Sequence, residues 1–444
     1  MVNNLNNKIL FFVDHKYRDL KSLSLIAYYL NQKNITTKLT ALWNFDIIGE
    51  FNPKIVVFNK PHMFDNEKIK CNFDNRYTAC ITTEGQAVKR ASKVHYPCDI
   101  NFFWNNSQKK LFQNIENKQK ITLGCPRTDY VDIILRENKT YNILKHFKHK
   151  KNITVALPDI CSKFNGESLK KFVKNVDNTH YQDITFENYV NIHRPATKKL
   201  EKYLIDLLKK YKKINFILKP HPNEDHIYWK NFVKKNNKYN NLHLIYGIDI
   251  NEFLSISKLH ITVEGCNTTF ESINKKIPTA EILINEKSKD KEFYKSHLEL
   301  CENKINSIED FEKNIIKFLI KKKKFSVDKR KINNYIKLHY TVVDDNRCKA
   351  YANYLSKYIK QINKKNYISR LFYITKQILM KPYNWHYFFY LNKLILKKFL
   401  RYKTVKKKIQ KNLAFDERGR YDSRIKNGDE EVYFKYFKSK KFKI

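Results

Sequence analysis

Short runs of β-branched and aromatic residues alternate with helical intervals along this chain, and the whole pattern occurs twice. Lys8–Val13 (KILFFV), Thr36–Leu42, Lys54–Phe58, Tyr77–Ile81, Ile100–Trp104 and Lys120–Leu123 read as strands, and Leu20–Asn31, Ser107–Ile115 and Thr128–Arg136 read as helices. A lysine-rich break, Leu144–Asn152 (LKHFKHKKN), interrupts the pattern. It then resumes with strands at Ile153–Leu157, Ile214–Leu218, Leu242–Tyr246, Leu259–Val263 and Thr279–Ile284. Helices are expected at Pro195–Tyr211, Asp225–Lys235, Asp249–Ile256, Thr268–Asn274 and Lys289–Cys301. Strands separated by helices imply parallel sheets, because a parallel neighbour is reached only by a crossover. The expected fold class is therefore α/β, with two Rossmann-like doubly wound domains, 1–150 and 151–340, facing a cleft at the carboxyl ends of both sheets. Helical patterns at Ile308–Leu319, Lys329–Lys337 and Asn346–Ile362 follow, so that 341–444 comprises a closing helix and a basic tail.

Composition narrows the function. The 444 residues hold 87 Lys and Arg against 44 Asp and Glu, a formal net charge of +43, which favours anionic partners or surfaces. Lysine, asparagine and isoleucine are abundant along the whole chain, so the charge alone does not locate a site. Only 8 glycines and 10 prolines exclude collagen-like and linker-like chains. The 8 cysteines never form C-x-x-C, which disfavours zinc and disulfide frameworks and fits a reducing compartment. His146 and His149 lie in the lysine-rich break with no carboxylate near them in sequence, so no metal is expected there. The N-terminus lacks a secretory pattern and no window is a spanning helix. The expected location is cytoplasmic, or peripheral on the inner face of the cytoplasmic membrane. No G-x-G-x-x-G, Walker A or G-x-S-x-G occurs, and no cofactor is expected.

Several strand-to-loop corners carry chemistry. KPHPNED (Lys219–Asp225) follows an apolar strand, and prolines on either side of His221 fix its backbone at the mouth of a sheet. There His221 and Lys219 suit a phosphate, although a histidine beside proline also occurs in plain turns. EGCNTTFES (Glu264–Ser272) runs from a strand into a helix, offering backbone N–H groups and the hydroxyls of Thr268 and Thr269 to an anion. Glu271 reads either as a first-turn capping residue or as a carboxylate for ribose hydroxyls. In the first half, VDHKYRD (Val13–Asp19) brings Asp14, His15 and Arg18 to the end of the first strand, and TTEGQ (Thr82–Gln86) brings Glu84 to the cleft side. Asp14 or Glu84 suits a general base, or each simply caps the following helix. GCPRTDY (Gly124–Tyr130) offers Arg127 to an anion or to Asp129, and LPDICSKFNG (Leu157–Gly166) places Asp159 in a cleft-facing loop.

Together, FFVDHKYRDLKSLSLIAYYL, ITTEG, INFFWNNSQKKLF, LGCPRTDY, KPHPNED, VEGCNTTFESINKKIP and NNYIKLHYTVVDDNRCKAYANYL resemble bacterial surface-carbohydrate biosynthesis proteins. These are glycosyltransferase-B (GT-B) proteins related to capsule and lipopolysaccharide transferases that use CMP-activated sugars. The resemblance covers roughly residues 8–360. It implies that His221 contacts the donor phosphate with Lys219 beside it, Thr268 and Thr269 cradle it, and Glu271 holds the ribose, while a first-half carboxylate deprotonates the acceptor. CNTTFES stands where serine-rich versions are usual, and LPDICSKFNG replaces an asparagine-rich loop. No D-x-D is present, so transfer without a metal is expected. The partners it implies are a nucleotide sugar, a CMP-sugar foremost, and a surface-polysaccharide or lipid-linked glycan acceptor. A CDP-polyol phosphotransferase of the same fold is the alternative.

Residues 361–444 carry 23 Lys and Arg against 6 Asp and Glu, interleaved with aromatics. Tyr367–Leu379 and Tyr387–Leu400 suit an anionic membrane surface, or pack back on the domains as ordinary two-faced helices. A nucleic-acid-binding protein is a third reading. No RNP-type aromatic strand, helix-turn-helix pattern or zinc spacing supports it.

Overall fold

A computed structural model describes residues 7–41, 47–59, 76–82, 98–111, 119–129, 144–157, 186–221, 226–263, 266–283, 299–362 and 429–439. The first six strands are β1 (Lys8–Val13), β2 (Thr36–Ala41), β3 (Ile55–Phe58), β4 (Tyr77–Ile81), β5 (Ile100–Phe103) and β6 (Gln119–Thr122). All pairings are parallel and the spatial order is β2-β1-β3-β4-β5-β6. Helices α1 (Lys21–Asn31), α2 (Ile47–Phe51) and α3 (Asn106–Leu111) belong to this half, and a π-helical turn (Lys16–Leu20) leads into α1. Ile9 to Val13 of β1 are essentially without solvent exposure. That is the mark of a strand covered on both faces, each such side chain contributing about 1.5–3 kcal/mol by its burial.

The second half contains β7 (Asn152–Ala156), α4 (Phe186–Lys210), β8 (Asn215–Lys219), α5 (His226–Lys235), β9 (Leu242–Leu244), α6 (Ile250–Leu254), β10 (Leu259–Val263), α7 (Asn267–Asn274), β11 (Thr279–Ile282) and β12 (Lys304–Ile305). Its strands are again parallel, in the order β12-β11-β10-β7-β8-β9. Helices α8 (Ile308–Ile315), α9 (Lys329–His339), α10 (Arg347–Gln361) and α11 (Asp429–Ser439) complete the described chain. Two Rossmann-like α/β units, each on a parallel sheet of six strands, are what the alternating pattern led us to expect.

In sheets of this kind ligands settle where the strand order reverses, beyond the carboxyl ends. Here the reversal falls between β1 and β3 in one sheet and between β10 and β7 in the other. The loops after β1 and β10 are the DHKYR and CNTT corners.

The chain does not simply end after the second sheet. Cys348, Tyr351, Ala352, Leu355 and Ile359 of α10 and Phe437 of α11 are buried in the core of the first domain, with Leu23, Ile26, Ala27 and Leu30 of α1. Phe437 packs against Tyr28, ring centroids 5.3 Å apart. Among the described residues no helix is long and apolar enough to cross a membrane. Tyr367–Leu379 and Tyr387–Leu400 lie outside the described residues.

Three elements depart from the sequence expectation. Helix α4 starts at Phe186 and carries Pro195 within it, where proline was expected to open the helix. Proline removes one donor, and the following turns are held by burial of Leu200, Leu204, Leu207 and Leu208. Strand β12 is only two residues long, too short for periodicity to reveal. Helix α11 opens on Asp429, Glu430 and Glu431, charges that suit a helix N-terminus but obscured the apolar face behind them.

Candidate functional site at the domain boundary

The first domain reaches the boundary through the turn after β1. His15 is the N-cap of the π turn, and its Nδ1 accepts the Arg18 backbone N–H at 3.2 Å. Capping thus falls to His15 rather than to Asp14. Asp14 is instead held by Arg18, whose Nη2 donates to Asp14 Oδ2 at 2.8 Å while its Nε and Nη2 grip Asp19. The Asp14 backbone N–H is donated to Asn59 at the end of β3, tying the two sides of the strand reversal together. Lys219 and His221, at the end of β8 in the other domain, stand near enough to act electrostatically on His15. Burial, with the positive charges of Arg18 and Lys219, holds the imidazole neutral, well below its usual titration range.

Tyr17, in the same turn, crosses to the second domain over Gly247. Gly247 has φ +72°, and a β-carbon there would stand 2.9 Å from the Tyr17 hydroxyl. Only glycine allows both the left-handed backbone and this approach.

The second contact between the domains is aromatic. Trp104, just after β5, stacks on Tyr340 at 5.6 Å, and Tyr340 stacks at 4.5 Å on Phe270 of α7, which in turn stacks on Tyr335 of α9. Trp104 Nε1 donates to the Thr82 carbonyl, Asn105 Nδ2 to the His339 carbonyl, and Thr341 Oγ1 to the Trp104 carbonyl, each at 2.8 Å. The Arg127 guanidinium lies 4.9 Å over the Trp104 ring, a cation–π placement.

From there Arg127 faces Glu271 of α7, its charge and that of Lys219 opposing the effect of burial on the carboxyl. Burial prevails, with Asp249 adding to it, and pushes the Glu271 carboxyl up to about 7. The pairing of Arg127 with Asp129 is not made. Asp129 Oδ1 and Oδ2 instead accept the backbone N–H groups of Arg347 and Cys348 at 2.8 and 2.7 Å, closing the start of α10.

A cavity of about 10 Å³, room for a single water, is lined by Cys125, Arg127, Thr128, Asn251, Phe270, Glu271 and Tyr340. Arg127 Nε and Asn251 Oδ1 are both buried there without a hydrogen-bond partner among the described residues.

Two expectations about α7 need correction. Glu271 is not in the first turn: the helix opens at Asn267 behind an N-cap Cys266 that makes no side-chain cap, so Glu271 is its fifth residue and no capping box forms. Thr269 does not face the cleft. It is fully buried, its hydroxyl donates to Thr262 of β10 at 3.0 Å, and its N–H goes to the Cys266 carbonyl at 2.9 Å. Successive helical residues point about 100° apart, so the position after an outward Thr268 turns inward.

Thr268 is half-buried, and its hydroxyl meets Nε2 of the buried His260 at 3.3 Å; His260 Nδ1 in turn meets Thr154 Oγ1 at 2.9 Å. Burial drives His260 down to about 3, with Lys219 in the same direction. Lys219 is half-buried; burial lowers its own affinity for a proton, while Asp249 and Glu271 pull the other way. Asp249 is the N-cap of α6, accepting the Asn251 N–H at 2.7 Å.

The arrangement joins Arg18, His15 and Arg127 of the first domain with Lys219, His221, Thr268 and Glu271 of the second. Glu84 and Asp159 lie outside the described residues. Sequence reasoning brought His15 to the end of the first strand without giving it a role, and it passed over Asn251 and Asp249 as site residues. An aspartate directly after the apolar strand drew attention from His15, and the D-I-N spacing at Asp249 reads as an ordinary helix start. Among the described residues no group of three or more His, Cys, Asp or Glu is placed to hold a metal, and the six described cysteines are free thiols.

No protein-family model and no curated protein sequence matches the chain. Solved structures are similar at low sequence identity. A MnaA–UDP structure from S. aureus is 11% identical at a TM-score of 0.48, covering 80% of this chain and 97% of that one. The UDP-GlcNAc 2-epimerase of Neisseria meningitidis, bound to UDP-GlcNAc, is 14% identical at 0.44, covering 79% and 100%. A glycosyltransferase from Rickettsia africae is 11% identical at 0.39, covering 80% and 99%.

Proposed function

We propose that the protein is a glycosyltransferase that moves a sugar from a nucleotide-activated donor, a CMP-sugar foremost, to a hydroxyl of a surface-polysaccharide or lipid-linked glycan, without a metal ion. One observation carries this reading. The corners expected to serve acceptor and donor come together at one boundary: Arg127 and Glu271 line one cavity, and Lys219 and His221 lie within electrostatic reach of His15.

In this mechanism the acceptor oxygen attacks the anomeric carbon, the bond from that carbon to the phosphate oxygen breaks, and the acceptor proton passes to a carboxylate, Asp14 or Glu84. Charge develops on the departing phosphate. Lys219, His221 and Thr268 stabilise it without reorganisation. Arg18 orients Asp14 through its Nη2. The Glu271 carboxyl accepts hydrogen bonds from ribose hydroxyls. Closure of the domains over the aromatic stack excludes water that would otherwise hydrolyse the donor. The basic aromatic tail, residues 361–444, holds the enzyme on anionic lipid at the inner face of the cytoplasmic membrane, next to a lipid-linked acceptor.

A thermal-shift panel of CMP, CDP, UDP and GDP tests the donor site, since a ligand bound by the native state raises the melting temperature. CMP is expected to raise it most. His221→Ala is expected to lower transfer by about two orders of magnitude; wild-type transfer in that variant would refute the assignment. Mass spectrometry of the product separates transfer of a sugar from transfer of a phosphoryl-polyol. Pelleting with anionic but not neutral vesicles tests the membrane role.

A further inference from the structure

The turn after β1 presents a histidine whose proton position the fold dictates. His15 is 8% exposed, and its Nδ1 accepts the Arg18 N–H, so that nitrogen must carry a lone pair. In a neutral ring the proton then sits on Nε2. Burial and the neighbouring positive charges of Arg18 and Lys219 keep the ring neutral. Yet Nε2 is buried with no hydrogen-bond partner among the described residues. A buried N–H donor left unmade is costly, and native folds rarely leave one unless a ligand or water completes it. Lys219 and His221 of the second domain, both suited to an anion, lie within electrostatic reach of the ring, as do Arg18 and Asp14 of its own turn.

We propose that His15 is a donor-binding residue of the first domain, its Nε2–H directed to a phosphate oxygen that Lys219 and His221 hold from the second domain. This deepens, and rests on, the transferase reading above. It makes the phosphate a bridge between the domains rather than a ligand of the second alone. A neutral N–H serves here because it remains a donor at any pH at which the ring stays uncharged, and it adds no further repulsion to the cations beside it. The first domain thereby senses whether a donor is present through one atom.

Two substitutions separate the donor from the turn. Asparagine can place an oxygen near the Nδ1 position and keep the cap on the Arg18 N–H, but it cannot reach the Nε2 position. Glutamine places an N–H near Nε2. Binding of UDP, CDP, CMP and inorganic pyrophosphate to the full chain is measured by calorimetry. His15→Asn is expected to weaken the phosphate-bearing ligands by about tenfold to a hundredfold, as befits a lost hydrogen bond to a charged group, and His15→Gln to recover much of that loss. Selective ¹⁵N-histidine labelling with two-bond ¹H–¹⁵N correlations reads the tautomer in the wild-type chain even if a variant fails to fold, and a proton on Nε2 is expected.

Unchanged ligand affinity in a folded His15→Asn variant, or a proton found on Nδ1, overturns this proposal and leaves the transferase reading standing. Failure of the wild-type chain to bind any of the four ligands overturns both.

Discussion

The hydroxyl of Tyr17 occupies the space that a side chain on Gly247 would need, 2.9 Å from an added β-carbon, and so joins the turn after β1 to the loop after β9. Replacing Gly247 with alanine strains a backbone at φ +72° and presses on the ring, and is expected to cost about 1–3 kcal/mol. Denaturant titrations of Gly247→Ala, Tyr17→Ala and the double variant check it. The glycine substitution should cost less once Tyr17 is shortened. Strict additivity would show that the two residues are not in contact.

Phe270 connects α7 to the rest of the boundary through its stacks on Tyr335 and Tyr340. Phe270→Ala is expected to destabilise the fold by about 3–5 kcal/mol, as other buried phenylalanine truncations do. The same truncation loosens the helix that carries Thr268 and Glu271. Nucleotide affinity should therefore fall with stability, and Phe270→Leu, which keeps most of the volume, should restore both.

Asp129 closes the start of α10 by taking two backbone N–H groups. Asp129→Ala is expected to cost about 1–2 kcal/mol, and Asp129→Asn, which retains one acceptor, less. Hydrogen exchange at Arg347 and Cys348 should accelerate in the alanine variant. Protection that matches the wild type would mean the cap is dispensable.

Stability should pass through a maximum near neutral pH because two sets of buried groups act in opposite directions. His260 is held near 3, and His243 and His339 near 4, each by burial first. Their contribution is complete above the unfolded histidine value of 6.5 and is lost progressively as pH falls toward those folded values. Glu271 and Glu252 are raised by burial to about 7 and about 8. Their contribution is complete below the usual carboxylate value of 4.5 and is lost as pH rises through the folded values. Glu271→Gln should therefore lose less stability than the wild type between pH 6 and pH 8.5. Parallel denaturation midpoints for the two proteins across that range would contradict the raised carboxyl.

The fold was legible because its signal is repetitive. Buried parallel strands such as KILFFV cannot hide their apolar runs, and the boundaries of every strand expected from the sequence lie within a residue or two of those observed. The site was legible only as far as its corners. Sequence brought Lys219, His221, Thr268 and Glu271 to strand ends, since a parallel sheet puts every such end on one edge. It was silent on which way a side chain turns, so Thr269 was read as an outward hydroxyl although it bonds inward to Thr262. Nor does spacing reveal partners hundreds of residues away. Asp129 serves α10, not Arg127, and Lys16 pairs with Asp429 at 2.6 Å. Those choices depend on which helix packs where, and only tertiary structure decides that.

The return of α10 and α11 to α1 means that the first unit is assembled from segments separated by the whole second sheet. A truncation at the lysine-rich break would bare the face on which Tyr351, Leu355 and Phe437 rest, and the isolated piece would aggregate or seek its missing helices elsewhere. Supplying them as a separate peptide, or moving them ahead of β1 by circular permutation, is how that unit could be made to stand alone. During synthesis it also cannot mature until the residues of α11 have been made.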